Sequence, residues 1–335
     1  MTGRCLVTGA SGFIGGHLVE RLVEQGTPVR CLARAESDTG RLRRLGVQIA
    51  VGDLTDAGSV RSAADGCEYV LHCAALVSDW ATVPEMRRVN VQGTRNVLDA
   101  ALAASTRRVI HFSSTDVYGH PGTREIDETY RPRRVSNWYS RTKLEAEREL
   151  TQARRGAVET VILRPATIFG PRSVNVVGEI AQAIAGGQML LIDGGRAVAG
   201  LCYIDNLIDA AILTLEHPAA TGQTFNVTDG LDVTWRQFID DLAGGLGHRR
   251  PRWNLPYGLA RPLGLSMEQG YRLARRLTGV RTEPLLSRQA VEVMGRDQSF
   301  SNAKIRQRLG WEPRVGYAAG LEATLTWLRA GSDLG

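Results

Sequence analysis

Tyr139 and Lys143 stand four residues apart in the stretch "NWYSRTKLEAE". The chain of 335 residues carries 41 basic residues, yet only Lys143 and Lys304 are lysines. On a helix, positions i and i+4 share one face, with Cβ atoms about 6 Å apart. A phenol alone, with a pKa of about 10, is a poor acid–base catalyst at neutral pH. A neighbouring ammonium favours the phenolate and lowers that pKa. It can also bond ribose hydroxyls, and a compact ammonium suits such a pocket better than a planar guanidinium. Upstream, Ser113, Ser114 and Thr115 close an apolar run and offer hydroxyls to hold a carbonyl oxygen beside the phenol. These groups suit hydride transfer to or from a carbonyl or carbinol carbon, with Tyr139 moving the proton.

A hydride carrier must then be held nearby. Thr8-Gly9-Ala10-Ser11-Gly12-Phe13-Ile14-Gly15 has the spacing G-x-x-G-x-x-G between an apolar run and a helical pattern. Gly9 permits a tight turn, Gly12 lets a diphosphate approach the backbone, and Gly15 lets helix and strand pack closely. The helix N-terminus offers free N–H groups to the anion. At the end of the next apolar run stands Arg34 rather than an acid, which suits a 2′-phosphate and favours NADP(H), with NAD still possible. The alternative is a solvated strand-end charge. Asp53, before Leu54, either accepts from an adenine amino group or caps the helix starting near Thr55.

These residues need a scaffold that brings strand ends together. Apolar runs near "RCLVTG", "PVRCLAR", "GVQIAVGDL", "CEYVLHCAAL", "RRVIHFSSTDVYG" and "AVETVILRPATIFGP" alternate with helices expected at 56–65, 84–104 and 137–155. Such strands run parallel, with right-handed crossovers and helices on both faces: an α/β, doubly wound parallel sheet. After Pro171 a helix near 174–187, strands at "QMLLI", "GLCYI" and "QTFNVT", and a helix at "DNLIDAAILTLEHP" are expected. Residues 250–290, with apolar and arginine residues around several prolines, read as a small, mainly helical lobe. The expected division is a cofactor-binding domain at 1–170, rejoined by parts of 199–230 and 296–312, and a substrate lobe at 171–198 and 231–330.

Composition narrows the function classes. Apolar content of 43% and charged content of 23% are ordinary for a globular protein. No run is long enough for a membrane span, and no secretion signal is evident. The formal charge is +6, but the arginines are dispersed without a basic tail, so nucleic-acid binding is not expected. The five cysteines are odd in number and scattered, which predicts buried free thiols in a reducing, cytoplasmic setting. No Cys/His spacing suggests a metal site.

The stretches "TGASGFIG", "GDL", "HCAA", "VNVQGTRNVLDAA", "FSSTDVYG", "YSRTK", "LRPATIFGP", "YIDN" and "LGWEP" resemble the extended short-chain dehydrogenases/reductases over nearly the whole chain. The resemblance implies a Rossmann-type sheet. It implies Ser114, with Tyr139 and Lys143, as the catalytic group. It implies cofactor contacts from Gly9, Gly12, Phe13, Ile14, Gly15, Asp53, Leu54, Ala74, Ala75, Pro165 and Ile168, to which Ser11 and Arg34 of the motifs above are added. It also implies a homodimer packed through helices 84–104 and 137–155.

Within that superfamily, nucleotide-sugar enzymes carry an arginine six residues before the Asp of "YIDN", where this chain has Ala199. Dehydratases place Asp-Glu after the catalytic hydroxyl, where this chain has Thr115-Asp116. "HCAALVSDW", Asn206 and the 255–277 region look more like the 3β-hydroxysteroid dehydrogenase and dihydroflavonol reductase branch. That resemblance points to a ketoreductase or alcohol dehydrogenase for a hydrophobic or polycyclic small molecule. Ser78, Trp80, Thr115 and Trp138 are its candidate substrate residues, the tryptophans either holding an apolar substrate or packing at the rim. Leu255, Leu259, Leu263 and Leu265 either form a lid or pack onto the sheet domain. The alternatives are a nucleotide-sugar epimerase or 4-ketoreductase, gripping the diphosphate through Arg172 or Arg196, and a non-catalytic NADP-binding sensor.

Overall fold

The computed structural model describes residues 3–332 except 79, 133–134, 136, 154–157 and 279–286. The first half runs β1 (Cys5–Thr8), α1 (Phe13–Glu24), β2 (Val29–Ala33), α2 (Gly40–Arg44), β3 (Gln48–Val51), α3 (Ala57–Ala64), β4 (Tyr69–His72), α4 (Val83–Arg87), α5 (Gly93–Ala103), β5 (Arg108–Phe112), α6 (Trp138–Ala153), β6 (Glu159–Pro165) and β7 (Thr167–Phe169). The second half runs α7 (Glu179–Ala185), β8 (Leu190–Ile192), β9 (Leu201–Tyr203), α8 (Ile204–Glu216), β10 (Thr224–Val227), α9 (Trp235–Gly245), β11 (Trp253–Leu255), α10 (Tyr257–Thr278), α11 (Arg288–Gly295), α12 (Ala303–Leu309) and α13 (Tyr317–Ser332). Seven strands form one parallel sheet in the order β3-β2-β1-β4-β5-β6-β10.

Burial explains why the central strands read as unbroken apolar runs. All four residues of β1 are buried, as a parallel sheet covered on both faces requires. Cys5 and Val7 join one core with Leu18 and Leu22 of α1 and Leu207 and Ala211 of α8. Leu6 joins the opposite core with Val60 of α3, Val97 of α5 and Leu150 of α6. The C-terminal strand ends therefore share one edge, where such sheets bind ligands.

The fold class is as expected, and three local details differ. The single strand expected over "AVETVILRPATIFGP" is two strands. β6 ends at Pro165, after which Ala166 N still donates to Val227 O (3.0 Å) of β10. Thr167 N then donates to Gly200 O (2.8 Å), so β7 leaves the sheet and pairs with β9. The helix expected at 84–104 contains a π-helical turn, Arg88–Gln92, between α4 and α5. The helix near 174–187 likewise begins as a π turn, Val174–Gly178.

In the lobe, Leu255 packs beside a small core of Ile192, Ala260 and Val291, whereas Leu259, Leu263 and Leu265 are exposed. Leu255 thus packs within the lobe itself rather than onto the sheet domain. Residues 279–286 of the expected lobe and 154–155 of the expected helix lie outside the described residues. No described helix is long and apolar enough to cross a membrane. All five cysteines are free.

Candidate active site

A cavity of about 240 Å³ opens at the ends of β1 and β2 and beside β4; Gly9, Ser11, Arg34, Asp53, Leu54, Ala74 and Ala75 all line it. Its floor depends on two glycines. Gly9 has φ of +69°, and a Cβ there would fall 2.8 Å from Ala74 N. A Cβ on Gly15 would fall 2.2 Å from Gly9 O, a backbone atom that cannot swing aside. Gly12 N donates to Gly9 O (3.0 Å), closing the turn, and Phe13 and Ile14 open α1. No acidic side chain occupies the first turn of α1, so its positive end is free to face an anion. Pro165 and Ile168 sit where the chain passes from β6 to β7. This cradle fits the diphosphate of a dinucleotide.

Asp53 is not the helix cap: Asp56 is, accepting from Gly58 N and Ser59 N. Asp53 instead accepts from Thr55 N and Thr55 Oγ1, both at 2.7 Å through Oδ1. The backbone bond from Thr55 holds its carboxyl below the usual range, so at neutral pH it is an acceptor facing the cavity wall. Arg34 lines the cavity and also pairs with Glu36 at 3.2 Å, both side chains being exposed.

Helix α5 and the π turn before it clamp this trough, a role that sequence reasoning missed. Buried Asn90 accepts from Leu76 N (2.7 Å) and donates to Leu76 O (3.1 Å) and Thr142 Oγ1 (3.0 Å). It thereby ties the 74–76 loop to α6. Asn96 Nδ2 donates to Leu54 O (2.7 Å). His72 braces the same wall in one defined tautomer. Thr94 Oγ1 spends its proton on Asn90 O (2.7 Å), so it must accept from His72 Nε2 (3.0 Å). His72 Nδ1 then accepts from Thr8 Oγ1 (2.8 Å). Burial, reinforced by Lys143, depresses this imidazole to about 3, so it stays neutral. The only sequence signal was the run "VNVQGTRNVLDAA", whose π turn no periodicity reveals.

Ser114, Tyr139 and Lys143 converge on the end of β5. Ser114 caps the 3-10 turn Thr115–Tyr118, its Oγ accepting from Asp116 N at 3.1 Å. That bond uses the oxygen and leaves the O–H to be donated. Lys143 is buried and its Nζ donates to Phe112 O. Burial lowers its pKa to about 8 against the raising influence of Glu147 and Cys73. The expected lowering of the Tyr139 pKa is not found. Burial, and then the Asp116 carboxylate, push the phenol upward. Lys143 does not offset this; its ammonium gives one N–H to Phe112 O. At neutral pH the site therefore presents a protonated phenol beside a cation.

The four candidate substrate residues divide. Ser78 and Trp138 line one small cleft with Glu268, Ser287, Arg288 and Gln289 from the C-terminal lobe. Ser78 Oγ is engaged, accepting from Trp80 N and Ala81 N at 3.0 Å each. Trp80 packs edge-to-face on Tyr271 of α10, 4.7 Å between centroids, and its carbonyl accepts from Arg275 (2.8 Å). Trp138 lies under the guanidinium of Arg141 at 4.6 Å. Thr115 is buried within the 3-10 turn and does not line that cleft. Sequence reasoning missed Gln289, whose Nε2 meets His120 Nε2 at 3.0 Å and whose Oε1 is buried without a partner among the described residues. Of the alternative diphosphate grips, Arg172 pairs with Glu20 of α1 (3.1 Å) and Arg196 is exposed.

Residues 5–228 match the NAD dependent epimerase/dehydratase family. The chain is 33% identical over 323 residues to a 4-hydroxy-2-methyl-3-oxo-4-farnesyl-3,4-dihydroquinoline-1-oxide ketoreductase of Stigmatella aurantiaca, covering 96% of this chain and 95% of that one. It is 31% identical to 3beta-hydroxysteroid-dehydrogenase/decarboxylase isoform 1 of Arabidopsis thaliana, covering 96% and 78%. It superposes on a short-chain dehydrogenase/reductase superfamily protein from Agrobacterium tumefaciens with bound NAD, at a TM-score of 0.75 and 26% identity, covering 99% and 98%. With a glycine cradle at the end of β1 and a Ser/Tyr/Lys constellation at the end of β5, two strands away, the chain belongs to the NAD-dependent epimerase/dehydratase family, the extended short-chain dehydrogenases/reductases, and is an oxidoreductase that works with a nicotinamide dinucleotide.

Proposed function

We propose that this enzyme is an NADP(H)-dependent ketoreductase, or the reverse alcohol dehydrogenase, for a hydrophobic or polycyclic small molecule. The observation that carries the reading is the grouping at the end of β5: the Ser114 hydroxyl with its O–H left to donate, and the half-buried Tyr139 phenol one helical turn from the buried Lys143 ammonium. Such a site is set to give a proton to a carbonyl oxygen. The nicotinamide, when bound, supplies the hydride. Ser114 donates its O–H to the substrate oxygen and fixes its position. Tyr139 transfers its proton to that oxygen as negative charge develops there. Lys143 stabilises the phenolate left behind, which is when its charge matters most.

The cofactor contacts belong to the same proposal. Gly9, Ser11, Gly12 and Gly15 with Phe13 and Ile14 hold the diphosphate. Asp53 and Leu54 meet the adenine, Arg34 the 2′-phosphate, and Ala74, Ala75, Pro165 and Ile168 flank the nicotinamide half. Residues 1–170, with parts of 199–230 and 296–312, serve the cofactor; 171–198 and 231–330 serve the substrate. Trp138, which lines the cleft, and Trp80, which packs on Tyr271 of α10, are the aromatic groups assigned to an apolar substrate. Two relatives named above, a quinoline oxide ketoreductase and a hydroxysteroid dehydrogenase, support that class. Ala199, fully buried where a diphosphate grip would be needed, favours it over a nucleotide sugar. We also assign a homodimer through α4, α5 and α6, whose outer faces carry the Arg87–Glu145 and Arg95–Glu149 pairs and exposed Leu102; sedimentation at a monomer mass would remove that assignment.

The test is NADPH oxidation at saturating cofactor against a panel of steroidal, polycyclic and long-chain β-keto substrates. Wild-type protein turns over at least one of them, and Tyr139→Phe loses roughly 10²–10⁴-fold in kcat with an unchanged melting temperature. Full turnover by the Phe variant, or activity confined to nucleotide sugars, refutes the reading.

A further inference from the structure

Behind the Lys143 ammonium lies a layer of buried polar groups that the reaction above does not use. His111 is 1% exposed, and neither ring nitrogen has a hydrogen-bond partner among the described residues. The hydroxyls of Ser113 and Ser140 are buried and unpartnered in the same sense. Ser113 follows His111 by two residues along the extended chain, so the two side chains share a face. Ser140 precedes Lys143 by three residues on α6 and shares its face. Lys143 itself donates to the carbonyl of Phe112, the residue between His111 and Ser113. The contrast is His72, whose ring centre lies 5.1 Å from that of His111 and whose nitrogens are both satisfied by threonine hydroxyls.

Buried donors and acceptors are nearly always paired, and water supplies the bond where the protein does not. We propose that His111, Ser113 and Ser140 bind internal water that completes the hydrogen bonding of Lys143, making His111 a positioning residue for the catalytic ammonium. The groups balance. An ammonium has three N–H donors, of which Phe112 O takes one. A second N–H and one serine O–H donate to the water oxygen. The water donates to the unprotonated nitrogen of His111 and to the other serine oxygen. His111 can serve as that acceptor because it stays neutral: burial, then the charge of Lys143, hold its pKa far below the ordinary value. The titratable groups facing Lys143 are then Tyr139 and Glu147 on its own helix, Cys73 and His72 from β4 and the loop after it, and His111 from β5. Of these, His111 is the one whose polar atoms are left to meet solvent inside the fold.

The inference rests on the catalytic reading of Lys143, and the test separates the two. A high-resolution crystal structure of the wild-type protein should show ordered solvent within hydrogen-bonding distance of both a His111 nitrogen and Lys143 Nζ. His111→Phe, which removes the acceptor, should move the basic limb of the kcat/KM profile down by about one pH unit, a rate about tenfold lower on that limb. His111→Asn, which keeps an acceptor, should restore most of it. Absence of solvent density, an unshifted limb in His111→Phe, or an Asn variant no better than Phe overturns the proposal. If His111→Phe does not fold, the solvent density decides. Lys143→Met tests the underlying reading: if it keeps turnover, that reading fails, while the solvent result stands independently.

Discussion

The helix that carries Tyr139 and Lys143 is anchored one turn further on by a buried ion pair, and breaking it should be read both in stability and in catalysis. Glu147 receives Arg164 of β6 in a two-pronged contact, Nε to Oε1 at 2.9 Å and Nη2 to Oε2 at 2.5 Å. The side chains are only 6% and 10% exposed. Arg164 also donates to Tyr118 Oη (2.8 Å), which in turn donates to Asn226 of β10 (2.7 Å). Glu147→Gln keeps the shape and removes the charge, leaving a guanidinium buried without its counter-ion. Breaking such a pair costs about 3–5 kcal/mol. With an unfolding entropy of about 2.1 cal/mol/K per residue, a chain of 335 residues changes by about 0.7 kcal/mol per degree. The melting temperature should therefore fall by about 4–7 °C. Glu147 also raises the pKa of Lys143, which burial holds at about 8. Its neutralisation should move the basic limb of the activity profile to lower pH. Calorimetry on Glu147→Gln, Arg164→Met and the double variant is the assay. The double variant should be more stable than Glu147→Gln, because it removes the orphaned charge. A melting temperature unchanged in Glu147→Gln, or a double variant showing the sum of both losses, refutes the reasoning.

Three further outcomes follow from the same geometry. For the wild-type enzyme, ketone reduction needs a charged Lys143 and a protonated Tyr139; the ammonium loses its proton first, as pH rises through about 8, while the phenol titrates above its ordinary range. The kcat/KM profile should thus fall about tenfold per unit beyond that point, and a limb that begins only above the lysine's ordinary value contradicts the assignment. Arg34→Asp should weaken NADPH binding about ten- to hundredfold, from the loss of a charge-assisted bond worth about 1.5–3 kcal/mol, and leave NADH binding equal or better; titration of cofactor fluorescence measures it, and equal Kd values for NADPH in both proteins would remove Arg34 from the phosphate site. Gly15→Ala places a Cβ 2.2 Å from Gly9 O, so either the loop or α1 must shift; cofactor binding should be lost to calorimetric titration, and an Ala variant that binds normally would show that the cradle is not rigid.

What the sequence made legible was whatever depends on short-range pattern. Apolar runs separated by helical periods were enough for the parallel sheet, and the glycine spacing was enough for the cradle, because both are set by neighbours within a turn or two. The position of Lys143 was legible for a similar reason, yet the scarcity of lysine was an imperfect guide. Lys304 is equally rare and staples α12 to β10, donating to Thr224 O (2.8 Å) over the ring of Phe225. Illegible were properties created by partners far along the chain. The π turn that delivers Asn90 to Leu76 and Thr142 gives no periodic signal. Gln289 reaches His120 across 169 positions.

The upward shift of Tyr139 is the sharpest instance of that limit, and it bears on the resting state of the site. Spacing alone placed an ammonium beside a phenol and so implied a phenolate. Burial by distant elements and the carboxylate of Asp116 outweigh that pair, and the ammonium turns to Phe112 O. A phenolate would be a resting base, suited to taking a proton from an alcohol. A protonated phenol is a resting acid, suited to completing reduction of a ketone. The environment that sequence spacing could not supply thus sets which form of the phenol is present at rest, while the phenolate formed in each turnover serves the reverse direction.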